Sequence, residues 1–271
     1  MLHTEMRNQR TTHLDKMTPL EIAQAMNYEN MRSVEAVEAV LPQVAQAIDA
    51  IAAAFALGGR LFYIGCGTSG RLAVLDAAEC PPTFGADPGQ VVGIIAGGDR
   101  SMFRASEGQE DDPNGGIAEL ESRHLTANDV VVGISAAGGA AYVNNAIAYA
   151  KKLGCVTVGI SCNPGSALEQ LTQIPITPDT GAEALTGSTR LKAGNAQKMI
   201  LNMLSTGAMV RSGHVYENMM SNLRPTNIKL RARVIRIVRE ITGLSEEAAV
   251  DLLEKAGWVI RDALRLWKEE L

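Results

Sequence analysis

The chain is poor in the residues that metal sites, disulfide frameworks and membrane spans require. Its four histidines are scattered along 271 residues, so no metal centre is expected. Its four cysteines do not have zinc-ribbon spacing, and three of them lie in or beside predicted strands, which indicates buried free thiols. No apolar run approaches the roughly 20 residues that cross a bilayer. We therefore expect neither a metalloprotein nor a membrane-spanning protein.

The chain also lacks an excess of positive charge. It has 25 Lys and Arg against 30 Asp and Glu, a formal net charge of -5 and a pI near 5.5. This balance gives no support for nucleic acid or an anionic membrane surface as a partner. The first 17 residues are polar throughout, which predicts no signal peptide and a cytoplasmic protein.

One stretch, residues 61–85, has the pattern of a strand, a glycine-rich turn and a helix. Its sequence is LFYIGCGTSGRLAVLDAAECPPTFG, in which Leu61–Gly65 is predicted to form a buried parallel strand. Three glycines then permit a tight bend and the close approach of a ligand. We predict a helix over residues 70–78 that ends at Glu79, because Cys80-Pro81-Pro82 follows.

A phosphate is the natural ligand of this turn. The free amides and the dipole of a helix N-terminus attract anions, and Thr68 and Ser69 add hydroxyl groups there. The spacing GxGTSG has hydroxyls where a dinucleotide fingerprint usually has none, which favours a monophosphate. The alternative is an ordinary strand-turn-helix whose glycines only form the corner.

Further strands and helices alternate along the chain. Strands are predicted at residues 91–96, 129–136, 155–162 and 174–177, with helical or loop stretches such as 116–123 and 141–153 between them. This alternation predicts an α/β fold with a doubly wound, parallel five-stranded sheet. Ligands bind such sheets at the carboxyl ends of the strands, where glycine- and hydroxyl-rich turns occur at residues 65–70, 135–139 and 161–165. These turns are expected to form one pocket.

The remaining segments are predicted to be mostly helical. Thr18 is expected to cap a helix that starts at Pro19, and an amphipathic helix over residues 33–57 is expected to kink or restart at Pro42. A long helix rich in Ala, Gly and Met runs to about Val210, and it is expected to pack against a neighbouring helix or a second subunit. A basic amphipathic helix and two short helices follow residue 224. We predict an N-terminal arm (1–32), a central domain (33–223) that carries the candidate phosphate site, and a C-terminal helical segment (224–271).

Two glutamates are candidates for acid–base chemistry. Glu79 follows the phosphate-like turn, and Glu110 lies in SEGQEDD, after the second strand. A pair of carboxyl groups can divide the work of general acid and general base. The alternative is that Glu107, Glu110, Asp111 and Asp112 form a solvated acidic turn.

Several strings in the chain are similar to those of a known family. They are GCGTSGRLAVLDAAECPPTFG, IIAGG (94–98), EGQEDD (107–112), TEMRN (4–8), GISCNPGSAL (159–168) and TGSTRLKAGNAQKMILNMLSTGAM (186–209). Together they resemble the N-acetylmuramic acid 6-phosphate etherases, which belong to the sugar isomerase (SIS) superfamily of phosphosugar-binding domains. The likeness covers most of the chain, and its implied fold is a flavodoxin-like sandwich with a small C-terminal helical appendage.

This resemblance implies a reaction. The family cleaves the D-lactyl ether of N-acetylmuramate 6-phosphate during cell-wall recycling, which gives N-acetylglucosamine 6-phosphate and D-lactate. Deprotonation beside the sugar aldehyde lets lactate leave, and water adds to the unsaturated intermediate. The route needs one acid and one base but no metal or organic cofactor. The implied partners are a phosphorylated amino sugar and a second copy of the chain, as a homodimer.

The resemblance also implies roles for individual residues. Glu79 would donate the proton to the departing lactate, and Glu110 would be the partner base for the ring-carbon proton or the incoming water; the residues alone do not decide which is acid and which is base. The implied phosphate site is Ser69 with its neighbours Gly67, Thr68, Gly70 and Arg71. The implied sugar site is Ser188, Thr189 and Lys192.

The chain departs from the family pattern after the third strand. Family members usually carry serine-glycine-arginine-threonine-proline there, whereas this chain has Ala137-Gly138-Gly139-Ala140-Ala141. Each lost charge-assisted contact to a ligand would cost about 1.5 to 3 kcal/mol. Two other functions therefore stay open: a non-catalytic phosphosugar-binding regulator and a phosphosugar aldose-ketose isomerase. The chain also stops sooner after the small helical unit than family members commonly do.

Overall fold

The computed structural model describes residues 1–106, 108–222, 225 and 228–269. Its largest sheet has five parallel strands: β1 (Leu61–Gly65), β2 (Val91–Ile95), β3 (Val130–Ile134), β4 (Val156–Ile160) and β5 (Ile174–Ile176). Their spatial order is β2-β1-β3-β4-β5, which is the flavodoxin-like order of a doubly wound sheet. The predicted fold class is confirmed, and every predicted strand is present, shorter at its ends by at most two residues.

The two central strands position the candidate site. Every residue of β1 and β3 is buried, as parallel strands covered on both faces require. Gly65, the last residue of β1, pairs with Ile95 on one side and with Ile134 on the other. The turn after β1 therefore lies where the strand order reverses, which is the ligand-binding point of this sheet class.

The helices lie before, between and after these strands. They are α1 (Pro19–Glu38), α2 (Leu41–Ala56), α3 (Gly67–Phe84), α4 (Arg100–Phe103), α5 (Gly115–Ser122), α6 (Ala141–Leu153), α7 (Ala167–Leu171), α8 (Lys192–Arg211), α9 (Ile228–Thr242), α10 (Glu246–Lys255) and α11 (Ile260–Glu269). On one face of the sheet, α5 and α6 pack against β1 and β3 in a core that includes Phe62, Leu120 and Ile147.

The first two helices follow the cap and proline signals. Thr18 and Glu21 form a reciprocal capping box at the start of α1, and a new helix begins at Leu41 with Pro42 in its first turn. The predicted restart at Pro42 is confirmed. The predicted start at Ser33 is wrong, because Ser33 lies inside α1, where its buried side chain continues the inward face of that helix.

The predicted end of α3 is also wrong. The helix does not stop at Glu79 but continues through Pro81 and Pro82 to Phe84, so Glu79 is an exposed residue in its interior. The two prolines remove donors only from the last turn, and the buried side chains of Cys80 and Phe84 stabilise that turn. The helix ends at Gly85, whose φ is +62° and whose amide donates to the Pro81 carbonyl at 2.9 Å.

The C-terminal helices form a small core of their own. α9, α10 and α11 surround buried residues such as Val238, Leu253 and Ile260. A two-stranded hairpin, β6 (Val215–Tyr216) and β7 (Met219–Met220), contributes Tyr216 and both methionines to this core. The three predicted helices are present, whereas the hairpin was not predicted because its strands have two residues each.

The chain divides into two compact units. The larger consists of Met1–Ala78 and Gly89–Ala208, and the smaller of Glu79–Pro88 and Met209–Leu271. The predicted three-part division at residues 32 and 223 stays a prediction; its second boundary falls on residues 223 and 224, outside the described part of the chain.

The predictions about the cysteines and about membrane-spanning helices can be compared with the described residues. All four cysteines are free thiols; Cys80, Cys155 and Cys162 are buried and Cys66 is half-buried, as expected. No single helix among the described residues is long and apolar enough to cross a membrane. α1 and α2 pass that test only together, as a pair bent by 62°.

Candidate active site

The turn after β1 is tighter than its sequence predicts. α3 begins at Gly67, with φ at +51°, and not at Gly70, because the Gly70 amide already donates to the Cys66 carbonyl at 3.2 Å. A Cβ on Gly70 would lie 2.6 Å from the carbonyl oxygen of Gly65, so only glycine fits there. The Ser69 hydroxyl is buried and donates to the side-chain oxygen of Gln197 at 3.0 Å. The strand-turn-helix prediction is confirmed apart from the helix boundaries.

The first turn of α8 lies beside this turn. A Cβ built on Gly194 would be 3.5 Å from both the Thr68 methyl group and the Thr189 carbonyl oxygen. Two segments that are far apart in the sequence, GTSG and GSTR, therefore meet at the carboxyl edge of the sheet. The predicted phosphate-site and sugar-site residues Thr68 and Thr189 are neighbours.

A cavity of about 150 Å³ opens next to the turn, and Glu110 lines it. Cys66, Gly67, Arg71 and Ser106 are among its other lining residues. The Arg71 side chain is half-buried and donates to the backbone carbonyls of Met102 and Arg104, at 3.1 and 3.4 Å. Arg71 thus holds the segment after β2 against the turn after β1, which brings the loop that carries Glu110 to the site.

Electrostatics at this cavity disfavour a reactive thiol. Burial raises the pKa of Cys66 to about 12, and the negative charges of Glu110 and Asp111 contribute to the rise. Cys66 is therefore a neutral thiol at physiological pH and not a nucleophile. Glu110 itself is exposed on a short 3-10 turn that follows Gly108; Glu107, in the same acidic string, lies outside the described residues.

Glu79 belongs to the smaller unit, while Glu110 belongs to the larger one. The segment that carries Glu79 is held at its C-terminal end, where the ring Nδ1 of His214 is 2.9 Å from the Phe84 carbonyl oxygen. The side-chain amide nitrogen of Asn222 lies 3.1 Å from the same ring atom. These contacts fix the end of α3 within the smaller unit.

Lys192 is buried at the start of α8. Its ammonium group lies 2.5 Å from the Glu29 carboxylate, and both side chains are almost fully buried. Its backbone amide and that of Ala193 donate to the two carboxylate oxygens of Glu183, at 2.9 and 3.0 Å. Burial raises the pKa of Glu183, although these two amides and the charge of Lys192 oppose the rise. The side chains of Ser188 and Thr189, by contrast, are half-buried in the loop that precedes α8.

The turn after β3 is closely packed despite its small residues. Gly138 has a φ of +74°, and a Cβ there would be 2.4 Å from the Ser166 side chain, whereas a Cβ on Gly139 would meet open space. The turn is joined to the turn after β4, since the Cys162 amide donates to the Ala136 carbonyl at 2.9 Å. Two of the three predicted turns are therefore in direct contact at this edge.

Gln197 was not predicted as a site residue. It is 1% exposed, and among the described residues its side-chain nitrogen has no hydrogen-bond partner. Its position in the motif KAGNAQK, five residues after Lys192, was the only available signal. No group of three or more possible metal ligands occurs in the described part of the chain.

Family models and solved structures agree with this architecture. Residues 43–151 match the model of the glucokinase regulatory protein N-terminal SIS domain, and residues 115–207 match that of the SIS domain. A protein of E. coli CFT073, solved as a complex with a ligand, is similar with a TM-score of 0.54 and 16% identity, over 73% of this chain and 95% of that one. A phosphoheptose isomerase from Francisella tularensis gives a TM-score of 0.52 and 18% identity, over 71% of this chain and 98% of that one. These structures show the fold alone.

Curated relatives are much closer in sequence. The N-acetylmuramic acid 6-phosphate etherase of Serratia proteamaculans (strain 568) is 52% identical over 263 residues, which are 97% of this chain and 89% of that protein. The enzyme of the same name from Yersinia pestis (strain Pestoides F) is 50% identical over the same shares. The chain therefore belongs to the N-acetylmuramic acid 6-phosphate etherase family.

Proposed function

We propose that this protein cleaves the D-lactyl ether of N-acetylmuramate 6-phosphate to N-acetylglucosamine 6-phosphate and D-lactate, with Glu79 and Glu110 as its acid–base pair. The observation that carries the proposal is the identity of 50 to 52% to etherases over 97% of the chain. The position of Glu110 in the wall of a cavity beside the glycine-rich turn supports it.

The phosphate would bind at the turn after β1. Its oxygens would accept hydrogen bonds from the free amides at the start of α3 and from Thr68, where the helix dipole favours an anion. Ser69 already donates to Gln197, and the unpartnered side-chain nitrogen of Gln197 is a buried donor that a ligand oxygen would satisfy. Ser188 and Thr189 would contact the sugar, because Thr189 lies beside Thr68 at Gly194.

The acid–base pair would work in two steps. Glu110 removes the proton from the carbon beside the open-chain aldehyde, and the electron pair that is released forms a carbon–carbon double bond as the lactyl C–O bond breaks. Glu79 gives its proton to the departing lactate oxygen. Water then adds to the double bond; one carboxylate takes its proton and the carbon beside the aldehyde regains one, so the balance is substrate plus water to two products.

Lactate release from N-acetylmuramate 6-phosphate tests both assignments. Glu79→Gln and Glu110→Gln should each lower kcat by 10² or more, the usual contribution of a general acid or base (roughly 10² to 10⁴). Glu254→Gln, at an exposed position of α10, is the matched control and should retain full activity. Full turnover in either test variant would remove that glutamate from the mechanism.

Deuterium exchange separates the acid from the base. In D₂O, an enzyme that has its base but lacks its acid still exchanges the proton beside the aldehyde without releasing lactate. We expect this behaviour of Glu79→Gln and not of Glu110→Gln; the reverse result would exchange the two roles. A ketose phosphate formed without lactate would instead identify an isomerase, and saturable binding without any product would identify a regulator.

We also propose that the protein is a homodimer. A groove of about 450 Å³ between α2 and α8 is lined by Ile48, Met199 and Met203, and Met203 is 36% exposed. Flexible methionine side chains in an open apolar groove suit a second copy of the chain. Light scattering should give twice the chain mass for the wild type and the chain mass for Met203→Glu.

The proposed compartment of the protein is the cytoplasm, where its four thiols would stay reduced.

A further inference from the structure

A second polar cavity lies beside the N-terminal arm, within the larger unit. It has a volume of about 270 Å³, and we call it the arm cavity. The residues that define it are Arg7, Arg10, Glu29, Arg32, Thr180 and Lys192. Arg7 and Arg10 belong to the part of the arm before α1, and Glu29 and Arg32 belong to α1. Thr180 follows β5, and Lys192 is the first residue of α8. Lys192 is also one of the implied sugar-site residues, whereas the reaction proposed above gives no role to the other five.

The arm cavity has an excess of positive charge. Four of its defining side chains are cationic, and Glu29 is the one anion among them. Arg32 is also paired with the exposed Glu35, at 3.5 Å, and Arg10 stacks over the Tyr28 ring, 4.1 Å from its centre. The Arg7 guanidinium has neither an ion pair nor a hydrogen bond within the described residues. A ligand with negatively charged oxygens would supply the missing partner.

Buried polar groups form the inner wall of this cavity. The Lys192 and Glu29 side chains are 4% and 6% exposed, and they hold each other in place. Thr180 is 2% exposed, and its hydroxyl oxygen has no nitrogen or oxygen partner in the described chain. The one polar group that it contacts there is the Cys162 thiol, a weak hydrogen-bonding group. A buried hydroxyl without a nitrogen or oxygen partner is costly, and an oxyanion would accept its hydrogen bond.

The arm that carries Arg7 is held in place. The Asn8 side chain donates to the Ala182 carbonyl at 3.1 Å and accepts the Arg10 amide at 3.0 Å. Further along the arm, the Thr4 amide donates to the Asn163 side chain at 3.2 Å, and that side chain donates back to the Thr4 hydroxyl at 3.0 Å. The guanidinium of Arg7 is thus presented from a backbone that needs no rearrangement to bind a ligand.

We propose that the arm cavity binds a small oxyanion, a carboxylate or a phosphate, through the Arg7 guanidinium and the Thr180 hydroxyl. Arginine suits both anions, because its planar fork can donate two parallel hydrogen bonds. This site does not depend on the proposed reaction, since its occupation is measured without substrate. It also gives a role to the TEMRN string, to which Arg7 belongs.

Isothermal titration calorimetry with sodium D-lactate and with inorganic phosphate, each against chloride at equal ionic strength, tests the proposal. The protein variants are wild type, Arg7→Gln, Thr180→Val and the control Lys152→Gln, which removes an exposed charge far along the sequence on α6. Arg7→Gln should bind at least one of the two anions about tenfold more weakly, since one charge-assisted hydrogen bond is lost. Lys152→Gln should bind like the wild type.

Two further measurements separate this site from the turn after β1. Ser69→Ala should leave the Arg7-dependent binding unchanged, and Thr180→Val, which keeps the side-chain shape, should weaken it. If Arg7→Gln weakens the binding of D-lactate alone, the site is assigned to carboxylates. If it weakens the binding of phosphate alone, the site is assigned to phosphate. Binding that is equal in wild type and Arg7→Gln, or binding of neither anion above the chloride control, would overturn the proposal.

Discussion

The ammonium group of Lys192 lies 2.5 Å from the carboxylate of Glu29, and this ion pair is buried. It joins the first residue of α8 to α1, while the Ser33 hydroxyl of α1 donates to the Lys192 carbonyl at 3.1 Å. Glu183 binds the same end of α8 through two backbone amides. The loop that carries Ser188 and Thr189 is therefore fixed at its C-terminal end by contacts that take up the charge of Lys192. Through its ion pair with Glu29, Lys192 therefore stabilises the loop of the candidate sugar site.

Breaking this pair should destabilise the protein strongly. Glu29→Gln leaves a buried ammonium group without its carboxylate, which costs about 3 to 5 kcal/mol. Glu35→Gln is the matched control, because Glu35 pairs with Arg32 on the surface and such pairs contribute about 0 to 1 kcal/mol. The free energy of unfolding in urea measures both changes. Equal losses of unfolding free energy in the two variants would show that the buried pair stabilises the protein no more than the surface pair does.

The fold was predictable because its signals are local and strong. Alternating apolar strands and amphipathic helices indicated all five strands and their class, and Thr18 and Pro42 marked the starts of α1 and α2. The end of α3 was not predictable, because the buried side chains of Cys80 and Phe84 outweigh the two prolines in its last turn. Tertiary packing overrode local propensity there.

The candidate site was predictable in its composition and not in its contacts. GTSG and GSTR could be recognised as ligand-binding strings, but their meeting at Gly194 depends on how α8 packs beside β1. The pairing of Lys192 with Glu29, over 163 residues of chain, had no sequence signal at all. Gln197 had only its position in KAGNAQK as a signal, because its importance depends on an unsatisfied buried nitrogen.

Acid should weaken the fold through Asp129. Burial alone would raise the pKa of Asp129, but hydrogen bonds from the Arg60 side chain and from the Thr126 and Arg60 amides together lower it. Because the pKa of Asp129 is lower in the folded protein, Asp129 stabilises the fold fully at a pH above its unfolded-state pKa of about 3.9. This stabilisation is lost as the pH falls through the folded-state pKa. Urea midpoints measured from pH 5 downward should fall more steeply for the wild type than for Asp129→Asn. Parallel curves would contradict this assignment.

Cys66 should resist alkylation in the folded protein. With a pKa of about 12, about one thiol in ten thousand is ionised at pH 8, against about a quarter of ordinary thiols. Iodoacetamide labelling of Cys66, followed by mass spectrometry, should therefore be at least about 100-fold slower in native protein than in urea. Glu110→Gln should speed native labelling, since it removes one of the negative charges that raise this pKa. Rapid labelling of the native wild type would refute the neutral-thiol assignment.

Gly85 should tolerate no side chain. Its φ is +62°, and a Cβ there would lie 2.1 Å from the Asn222 carbonyl oxygen, within the same unit. Gly85→Ala should therefore cost more than a left-handed backbone alone, which costs about 1 to 2 kcal/mol. Gly58→Ala isolates that backbone cost, because Gly58 has a φ of +74° and open space around it. Equal losses of stability in Gly85→Ala and Gly58→Ala would argue against the clash. Because the segment of Gly85 carries Glu79, Gly85→Ala should also lower the rate of lactate release, whereas Gly58→Ala should not.

Restoring the family pattern after β3 should strengthen phosphosugar binding. Gly139 stands where relatives usually have arginine, and a Cβ at Gly139 would meet no atom within 4 Å, so a side chain can begin there without a clash. If the new guanidinium binds the ligand with one charge-assisted hydrogen bond, Gly139→Arg should gain about 1.5 to 3 kcal/mol, a roughly tenfold or larger fall in the Kd for N-acetylglucosamine 6-phosphate. Gly139→Gln has a similar length without the charge and should gain much less. Gly138→Ala, one residue earlier, should lose stability, because its Cβ would lie 2.4 Å from Ser166. An unchanged Kd in Gly139→Arg would mean that this turn does not reach the bound phosphosugar. The absence of the family's arginine would then have no consequence for phosphosugar binding.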